Sequence, residues 1–349
     1  SPSTTTLLIT CRAEEKPGRR PAEAPPRRDH ASEGRNASAA TGPVGGHRDR
    51  GEHTRGDGAF ALSSRRVNAP SRLSLKHRVA AGDPPGAADL LAKATGLSKG
   101  AVKDAMGKGA VQVERASRRG LHRLRRETAT VRPGDLLEIH YDAALLAIVP
   151  PEPRLVRDAV RWSCWWKPAG VLSQGTPFGD HASLLRLVEK ATGRATHPVH
   201  RLDREVEGLV LVAHDPAAAA ALSELFRSGK VVKRYRAEVA GDVAADLGPG
   251  GAVETPIEGK PARTLWSVAG RDAARGTTTL DVTIETGRQH QIRRHLESIG
   301  HAVIGDPRYG TGNKSPEGLR LAALYLAFRE PFSGEPVELR PPEGPAVSV

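Results

Sequence analysis

The spacing of hydrophobic residues divides the chain into a tail and two patterned segments. Residues 1–70 show no hydrophobic period and are rich in Pro, Gly, Ala, Arg and Ser, a composition that predicts disorder. Apolar positions recur at helix and strand spacing in residues 79–145 and again in residues 155–345. The Pro-rich stretch 149–154 between them indicates a linker. We therefore predict a tail followed by two folded domains.

The first patterned segment begins with two short helices. Apolar residues in 87–94 have helical spacing, and Gly96 is suited to end that helix. Ser98 is a candidate N-cap for a second helix, where Leu97 is placed to pack against Val102. After the helices we predict a strand at 110–113, a basic loop at 115–126 and a strand that follows the Pro-Gly-Asp turn at 133–135.

The second patterned segment alternates strands and helices. Strands are predicted in RWSCWWKPAGVLSQ, in the apolar run Leu209–Ala213, in KRYRAEVAG and in TTTLDVTIETG. Helices are predicted at 216–228 and in RQHQIRRHLESIG, where Ile292, Leu296 and Ile299 form an apolar stripe and Gly300 ends the helix.

The positive charge is concentrated in two places. Of the net charge of +12, residues 1–78 hold 15 Lys and Arg against 8 Asp and Glu, and residues 98–126 hold 9 against 2, while the remainder is close to neutral. Lys99 and Lys103 lie four apart, on one face of the second predicted helix. Lysines on an exposed helix usually form only a solvated face, but the Arg-rich loop that follows, with Arg123, favours phosphate contact. These charges indicate a polyanion-binding module attached to a separate domain that carries the chemistry.

Composition also narrows the class of protein. Only 2 cysteines, Cys11 and Cys164, argue against a disulfide scaffold and against a Cys-based metal cluster. No apolar run approaches the length of a membrane span. His290 and His295 lack the His-Glu-x-x-His spacing of a zinc site, and GTGNKS at 310–315 lacks the order of a phosphate-binding loop.

Asp203, in the string HPVHRLDREVEGLVLVAHD, is the first candidate for chemistry. It precedes a predicted buried strand and is flanked by Arg201 and Arg204, which is the setting of a nucleophile held ionised by cations. An aspartate that orders a turn or pairs with its neighbours would look the same. The string alone does not separate the two interpretations.

Four segments, one of which contains Asp203, together resemble a known enzyme family. They are KPAGVLS from Lys167, HRLDREVEGL from His200, KRYRAEVAG from Lys233 and GRQHQIRRHLESIGHAVIGDPRYG from Gly287. In this order they resemble the RluA-type RNA pseudouridine synthases, and GKPART at 259–264 is similar to a further element of that family. The resemblance spans about residues 155–345. It implies an α+β fold, with a mixed, mainly antiparallel sheet and flanking helices.

The resemblance assigns roles to individual residues. Asp203 matches the catalytic aspartate, Arg201 the arginine that displaces the target base, Tyr235 the aromatic residue that stacks on the flipped uracil, and Arg293 the arginine that pairs with the aspartate. Stacking on an aromatic face recovers about 1–3 kcal/mol of the cost of extruding a base. Within the matching segments we also expect His200, Lys167 and Gln291 to contact substrate, although Lys167 in a turn could simply shape that turn.

The first patterned segment resembles the alpha-L type RNA-binding domain, a small α/β module. The matching residues are LSKGAVKDAMGKGAVQV and the later RPGD, and the match departs at Glu114-Arg115, where that domain usually carries an Asn-Gly turn. The resemblance implies that Lys99, Lys103 and Arg123 contact RNA. It also favours ribosomal RNA over transfer RNA as the substrate.

The expected activity is isomerisation of uridine within RNA, which needs no metal and no organic cofactor. RNA is the expected partner, with no membrane, no obligatory protein partner and a monomeric state. A catalytically silent RNA-binding or chaperone protein of the same fold is the alternative, and a DNA-directed protein is favoured only by net charge. The cytoplasm is expected for a bacterial protein, and a chloroplast or mitochondrion if the tail is a transit peptide.

Two departures from the family pattern concern local structure. Val206-Glu207-Gly208 stands where Thr-Ser-Gly is usual, and Ala322 stands where a His is common. Neither position supplies the nucleophile. We expect activity to survive, with effects on local hydrogen bonding and on the choice of substrate.

Overall fold

The computed structural model describes residues 5–8, 70–311 and 314–343. The predicted disordered tail therefore lies almost wholly outside the described residues. Two sheets form in the described part, one in the N-terminal segment (residues 70–148) together with residues 5–8, and one in the C-terminal segment (residues 154–343). None of the helices in this part of the chain is long and apolar enough to cross a bilayer.

The N-terminal segment is a five-stranded antiparallel sheet covered by helices. Its elements are β1 (Thr5–Leu8), β2 (Arg72–Arg78), α1 (Ala87–Thr95), α2 (Lys99–Gly107), β3 (Val111–Arg115), β4 (Arg118–Arg123), β5 (Leu136–Asp142) and α3 (Ala143–Leu146). The strand order is β1-β2-β5-β3-β4. The buried residues of α1 and α2 share one hydrophobic core with those of β2, β3 and β5.

The two predicted helices of this segment are confirmed together with their ends. Gly96 ends α1 in the left-handed region with a φ of 73°. The Ser98 hydroxyl accepts a hydrogen bond from the N–H of Ala101 at 3.2 Å, and so caps α2. Leu97 and Val102 are both buried in the common core, as the predicted contact at the start of the helix requires.

The predicted loop at 115–126 is wrong in part, because β4 occupies residues 118–123. This strand lies at the edge of the sheet, pairs only with β3 and is largely exposed, so no apolar alternation marks it. Strand β2 lies before the predicted domain start at 79. Its sequence RLSLKHR does alternate, with Leu73, Leu75 and His77 buried.

The C-terminal segment is a mixed, mainly antiparallel ten-stranded sheet with flanking helices, as expected for the α+β class. Its strands are β6 (Arg154–Asp158), β7 (Trp162–Lys167), β8 (His197–Pro198), β9 (Glu207–Ala213), β10 (Val232–Ala240), β11 (Gly250–Val253), β12 (Thr264–Asp272), β13 (Thr277–Ile284), β14 (Leu321–Arg329) and β15 (Pro336–Leu339). Its helices are α4 (Leu184–Thr192), α5 (Pro216–Arg227), α6 (Val243–Leu247) and α7 (Gln291–Ser298). The main strand order is β11-β12-β13-β10-β14-β9-β7-β6, with only β9 and β14 parallel.

Strand β9 is buried on both faces of this sheet. Leu209 and Leu211 point to one hydrophobic cluster and Val210 and Val212 to the other, as the two-residue period of a strand requires. The predicted strands in this segment and both predicted helices are confirmed. The last helix begins only at Gln291, later than its predicted string, because the preceding residue His290 has a φ of 53°.

The two segments meet at a loop of the C-terminal segment, residues 173–183. Asp180 forms an ion pair with the guanidinium group of Arg123, at 3.1 Å, and accepts a hydrogen bond from that of Arg125. The backbone N–H of Asp180 also donates to the carbonyl of Lys108 at 3.0 Å. This loop therefore fixes the N-terminal segment through side chains and backbone together.

Candidate active site

A pocket of about 280 Å³ opens where the loop before β9, strand β10 and the start of α7 meet. This volume is several times the roughly 30 Å³ that one water molecule occupies, so a larger group can enter. The structure brings five of the predicted site residues to its walls: Arg201, Asp203, Tyr235, Gln291 and Arg293. Val206, His290 and Leu321 also line it.

The Asp203 carboxylate lies in the pocket with two cationic or polar partners on one oxygen. Arg293 Nη1 donates to Asp203 Oδ2 at 3.1 Å, and His290 Nε2 lies 3.6 Å from the same atom. The side chain of Asp203 is 22% exposed, so a ligand in the pocket can reach it. Among the described residues no hydrogen bond or ion pair engages Oδ1, which leaves this oxygen able to interact with a ligand.

Arg293 is held in place by a second carboxylate, Asp306. Its Nε donates to Asp306 Oδ2 at 2.7 Å and its Nη2 to Asp306 Oδ1 at 2.8 Å, a bidentate pair that is buried on both sides. Burial lowers the pKa of Arg293, but hydrogen bonds and charge from Asp306, and then from Asp203, outweigh it and raise that pKa. The guanidinium therefore stays charged, and its Nη1 donates to Asp203.

Asp306 is itself fixed by the backbone that follows it. Its Oδ1 accepts the N–H groups of Arg308 at 2.8 Å and Tyr309 at 3.1 Å. Burial works against the charged carboxylate, but the hydrogen bonds from Arg293 and from these two N–H groups prevail and lower the pKa of Asp306. The resemblance pointed to Arg293 but not to the carboxylate that orients it.

His290 was considered from the sequence only as a metal ligand, and the structure places it beside the Asp203 carboxylate. Its Nδ1 and the Tyr309 hydroxyl share a hydrogen bond of 3.0 Å. Burial lowers the pKa of His290, partly opposed by Asp203. Its left-handed backbone turns the chain into α7 and directs the ring toward the pocket. The sequence feature that could have identified His290 as a site residue is its position within the segment RQHQIRRH.

Tyr235 lies on β10 at a register shift in its pairing with β14. Burial, reinforced by the charge of Asp203, raises the pKa of its phenol well above the usual value. The phenol therefore stays protonated and neutral, and its ring lies in the pocket wall within the electrostatic reach of Asp203. A neutral aromatic ring next to a carboxylate suits stacking on a flat base.

A carboxylate held by a buried arginine, beside an aromatic ring in a pocket, is the arrangement expected from the sequence. A model of the RNA pseudouridylate synthase family matches residues 161–298. The dual-specificity RNA pseudouridine synthase RluA of Pasteurella multocida is 33% identical over 215 residues, which are 55% of this chain and 95% of that protein. The chain belongs to the RluA-type RNA pseudouridine synthase family.

The chain covers a smaller share of the length of other relatives. The ribosomal large subunit pseudouridine synthase D of Xanthomonas campestris pv. campestris is 34% identical over 207 residues, and the chain covers 61% of that protein. A solved human protein, RNA pseudouridylate synthase domain containing 1, is 24% identical with a TM-score of 0.48, covering 56% of this chain and 86% of that one.

Gln291 was expected to contact substrate, but its amide is fully used within the protein. Its Nε2 donates to the carbonyl of Arg263 at 2.9 Å and to Thr264 Oγ1 at 3.1 Å, while its Oε1 accepts from Thr286 Oγ1 at 2.7 Å and from the N–H of Arg288 at 3.0 Å. Two donors and two acceptor positions are all that an amide offers. We therefore assign Gln291 a positioning role in this family member.

His200 and Lys167 each make contacts within the protein, and neither lines the pocket that holds Asp203. His200 stacks on Phe226 with ring centroids 4.1 Å apart, and its Nε2 accepts the N–H of Leu211 at 3.0 Å. Burial lowers its pKa to about 3, so the ring is neutral. Lys167 is fully buried, and its ammonium donates to the carbonyls of Val171 at 2.8 Å, Pro168 at 3.1 Å and Arg204 at 3.3 Å.

The three cations predicted to bind RNA through the N-terminal segment differ in their availability. Lys99 pairs with Asp89 at 2.6 Å and Lys103 with Glu127 at 3.3 Å, and all four side chains are more than one third exposed. Exposed pairs of this kind are weak, so both lysines stay accessible to phosphate. Arg123 does not, because it is held by Asp180 and by the carbonyl of Thr176, at 2.8 Å. Its guanidinium joins the two segments, and its RNA contact stays a prediction.

The two departures from the family pattern lie at different distances from the pocket. Val206 lines the pocket directly, so an apolar side chain faces the substrate there. Glu207 is buried at the start of β9 and pairs with Ala322 in the parallel register. Ala322 belongs to the hydrophobic cluster on the opposite side of the sheet from Leu321 and Ala323, so this position does not face the pocket.

Proposed function

We propose that this chain isomerises uridine to pseudouridine in RNA, with Asp203 as the nucleophile. The observation that carries the proposal is the row of charges Asp203–Arg293–Asp306, in which a buried arginine fixed by one carboxylate donates from Nη1 to another. Such pairing keeps Asp203 ionised in a desolvated pocket. It occupies Oδ2 and leaves Oδ1 for attack.

The reaction is a rearrangement within one nucleotide. The bond between the sugar and N1 of uracil breaks, the base turns, and a carbon–carbon bond forms from the sugar to C5, which releases the C5 proton. Tyr235 is placed to stack on the extruded base, which repays part of the unstacking cost. The resemblance supports Arg201 as the residue that displaces the target base, and its side chain is exposed and has no ion pair or hydrogen bond within the part of the chain that the structure describes.

We also propose that the N-terminal segment binds RNA, and that ribosomal RNA is preferred to transfer RNA. Support comes from the resemblance to the alpha-L type domain and from the exposed cations of α2 and β4, which include Lys99, Arg118 and Arg119. Charges of this kind contribute affinity that falls with salt.

Tritium release tests the activity. RNA labelled at C5 of uracil is incubated with the wild-type protein and with Asp203→Asn, using ribosomal and transfer RNA pools separately. Release by the wild type alone is expected, with RNA affinity of the variant nearly unchanged. Binding without release from either pool would instead support the RNA-chaperone alternative and direct attention to Val206.

A further inference from the structure

A second cavity of about 590 Å³ adjoins the active-site pocket. The two share wall residues from the loop before β9, from β10 and from the loop after β13, namely Arg201, Tyr235, Ile284, Gly287 and Arg288. Any ligand group that continues beyond the first pocket in this direction therefore enters the second one.

The walls of the second cavity are strongly cationic. They include four basic side chains: Arg201, Arg227, Lys233 and Arg288. The acidic side chain in the wall is Glu285, which is exposed and pairs with Arg263 at 2.8 Å. Arg227 pairs with Glu224, whereas among the described residues Arg201, Lys233 and Arg288 have no recorded ion pair. The net charge of the cavity therefore favours an anion.

Lys233 is the most informative of these residues, because it is buried without a carboxylate partner. Only 6% of it is exposed, and its recorded hydrogen bond is a long one, 3.4 Å, to the carbonyl of Glu285. Burial lowers its pKa, with no opposing acidic group. The other buried lysine, Lys167, differs because three carbonyls surround its ammonium. An ammonium has three donors, so Lys233 retains capacity for a ligand.

We propose that this cavity binds an RNA phosphodiester next to the target uridine, with Lys233 and Arg201 as its principal donors. The inference rests on the proposed function, because a base extruded into the first pocket brings its own backbone phosphates to the pocket mouth. An anion there offsets the cost of burying the Lys233 ammonium. The cavity thus sets the position of the backbone while Tyr235 and Asp203 act on the base.

Salt dependence gives the first test. The probe is a single-stranded oligouridine RNA, bound by the wild type, by Lys233→Met and by the matched control Lys230→Met, which removes an exposed charge three residues earlier. Loss of one phosphate contact lowers the magnitude of the salt slope by about 0.7 for single strands. We expect this decrease for Lys233→Met and not for Lys230→Met. Equal slopes for the two variants would overturn the proposal.

Neutral phosphates give the second and sharper test. A single methylphosphonate is placed in turn at each phosphate around a uridine in the oligouridine probe. One position is expected to weaken wild-type binding by roughly tenfold or more, as loss of a charged hydrogen bond implies. In Lys233→Met that position should bring almost no further loss. A full loss in the variant would show that Lys233 does not contact the phosphate.

Two controls separate a folding defect and a failure of the proposed function from a failure of this inference. Replacing an unpaired buried charge by an apolar residue of similar length is commonly tolerated, and thermal unfolding checks Lys233→Met. If it does not fold, the exposed Arg201→Gln variant takes its place in the methylphosphonate experiment. Tritium release without a Lys233 or Arg201 effect rejects the phosphate site alone. The phosphate effect without tritium release rejects the synthase activity alone.

Discussion

Asp306 is connected through Arg293 to Asp203, the proposed nucleophile. Asp306→Asn keeps the size of the side chain but leaves a buried guanidinium without its counter-charge. We expect the free energy of unfolding to fall by about 3–5 kcal/mol, as for other broken buried ion pairs, and turnover to fall by at least about tenfold. Urea unfolding and single-turnover tritium release measure the two effects.

The control for this prediction is Asp281→Asn, which breaks an exposed pair with Arg236 of 3.0 Å. Exposed pairs contribute about 1 kcal/mol or less, so both quantities should stay near the wild-type values. A stability loss in Asp306→Asn with an unchanged turnover rate would mean that Asp306 supports the fold but does not position Arg293 for catalysis.

Lys167 makes stability depend on pH in a defined window. Burial lowers its pKa from the reference value of 10.5 to about 7, with Glu205, Asp203 and Glu207 opposing the shift and Arg204 adding to it. Between these values the native protein has released a proton that the unfolded chain still holds, so the native state gains stability as pH rises. The gain is at most about 1.4 kcal/mol per pH unit.

We therefore expect the difference in unfolding free energy between wild type and Lys167→Met to increase from about pH 7 to about pH 10. The variant removes the titrating group, so other titrations cancel in the difference. Denaturant unfolding at several pH values measures it. A difference that is flat across this window would show that Lys167 keeps its proton in the native state.

Single residues also show how far sequence reasoning could go. Asp203 does line the pocket, but the neighbouring arginines that made it a candidate do not pair with it: Arg204 donates to the carbonyl of Gly170 and Arg201 is exposed. The pairing cation is Arg293, 90 residues later, and only the family resemblance pointed to it. Which side chains orient a residue depends on how the fold brings distant parts of the chain together. For this reason Asp306 and His290 were missed, as were the internal hydrogen bonds of Gln291, His200 and Lys167, whose substrate contacts stay predictions.

At the level of elements, the approach of β9 to β14 positions the loop that carries Asp203. Gly208 has a φ of 134°, and a Cβ there would lie 2.5 Å from the backbone N and O of Ala323. Gly208→Ala therefore forces these parallel strands apart. We expect a loss of at least about 2 kcal/mol in unfolding free energy, from strain and overpacking together, and a lower turnover rate.

Gly193→Ala is the matched control for this prediction. Gly193 also has a positive φ, 68°, but nothing lies within 4 Å of its added Cβ, and it ends α4 and is not among the residues that line the pocket. Backbone strain of about 1 kcal/mol is expected, with turnover unchanged. If both variants lose the same stability and keep full activity, the close approach of β9 and β14 is not what positions Asp203.

The elements that sequence patterns predicted well carry apolar residues either at a helix or strand period or, as in β9, in a continuous run. Helix α7 carries an apolar stripe, and β10 and β13 alternate, so their periods are visible. Strand β4 is an exposed edge and carries no such pattern, because nothing selects apolar residues on either face. Its pairing with β3 comes from backbone hydrogen bonds, which any residue except proline can make.

At the scale of the whole molecule, the contacts of Asp180 join the N-terminal segment to the C-terminal segment. Asp180→Asn would leave the guanidinium groups of Arg123 and Arg125 close together without their counter-charge, and they would repel each other. We expect faster hydrogen exchange at the backbone amide of residue 180 and at residues 176–179, where the loop 173–183 meets Lys108. Affinity for ribosomal RNA should fall several-fold, because the cations of α2 would no longer be held in a fixed position relative to the pocket.

The control is Asp89→Asn, which frees exposed Lys99 but leaves the contact between the segments intact. It should leave exchange in the loop 173–183 unchanged and should preserve or raise RNA affinity, because it removes a negative charge near the proposed phosphate contacts. The decisive comparison uses a short oligouridine, which reaches only the pocket. Asp180→Asn should bind it as the wild type does. An equal loss for short and long RNA would show that Asp180 acts on the pocket itself, and that the N-terminal segment need not be held in place for substrate binding.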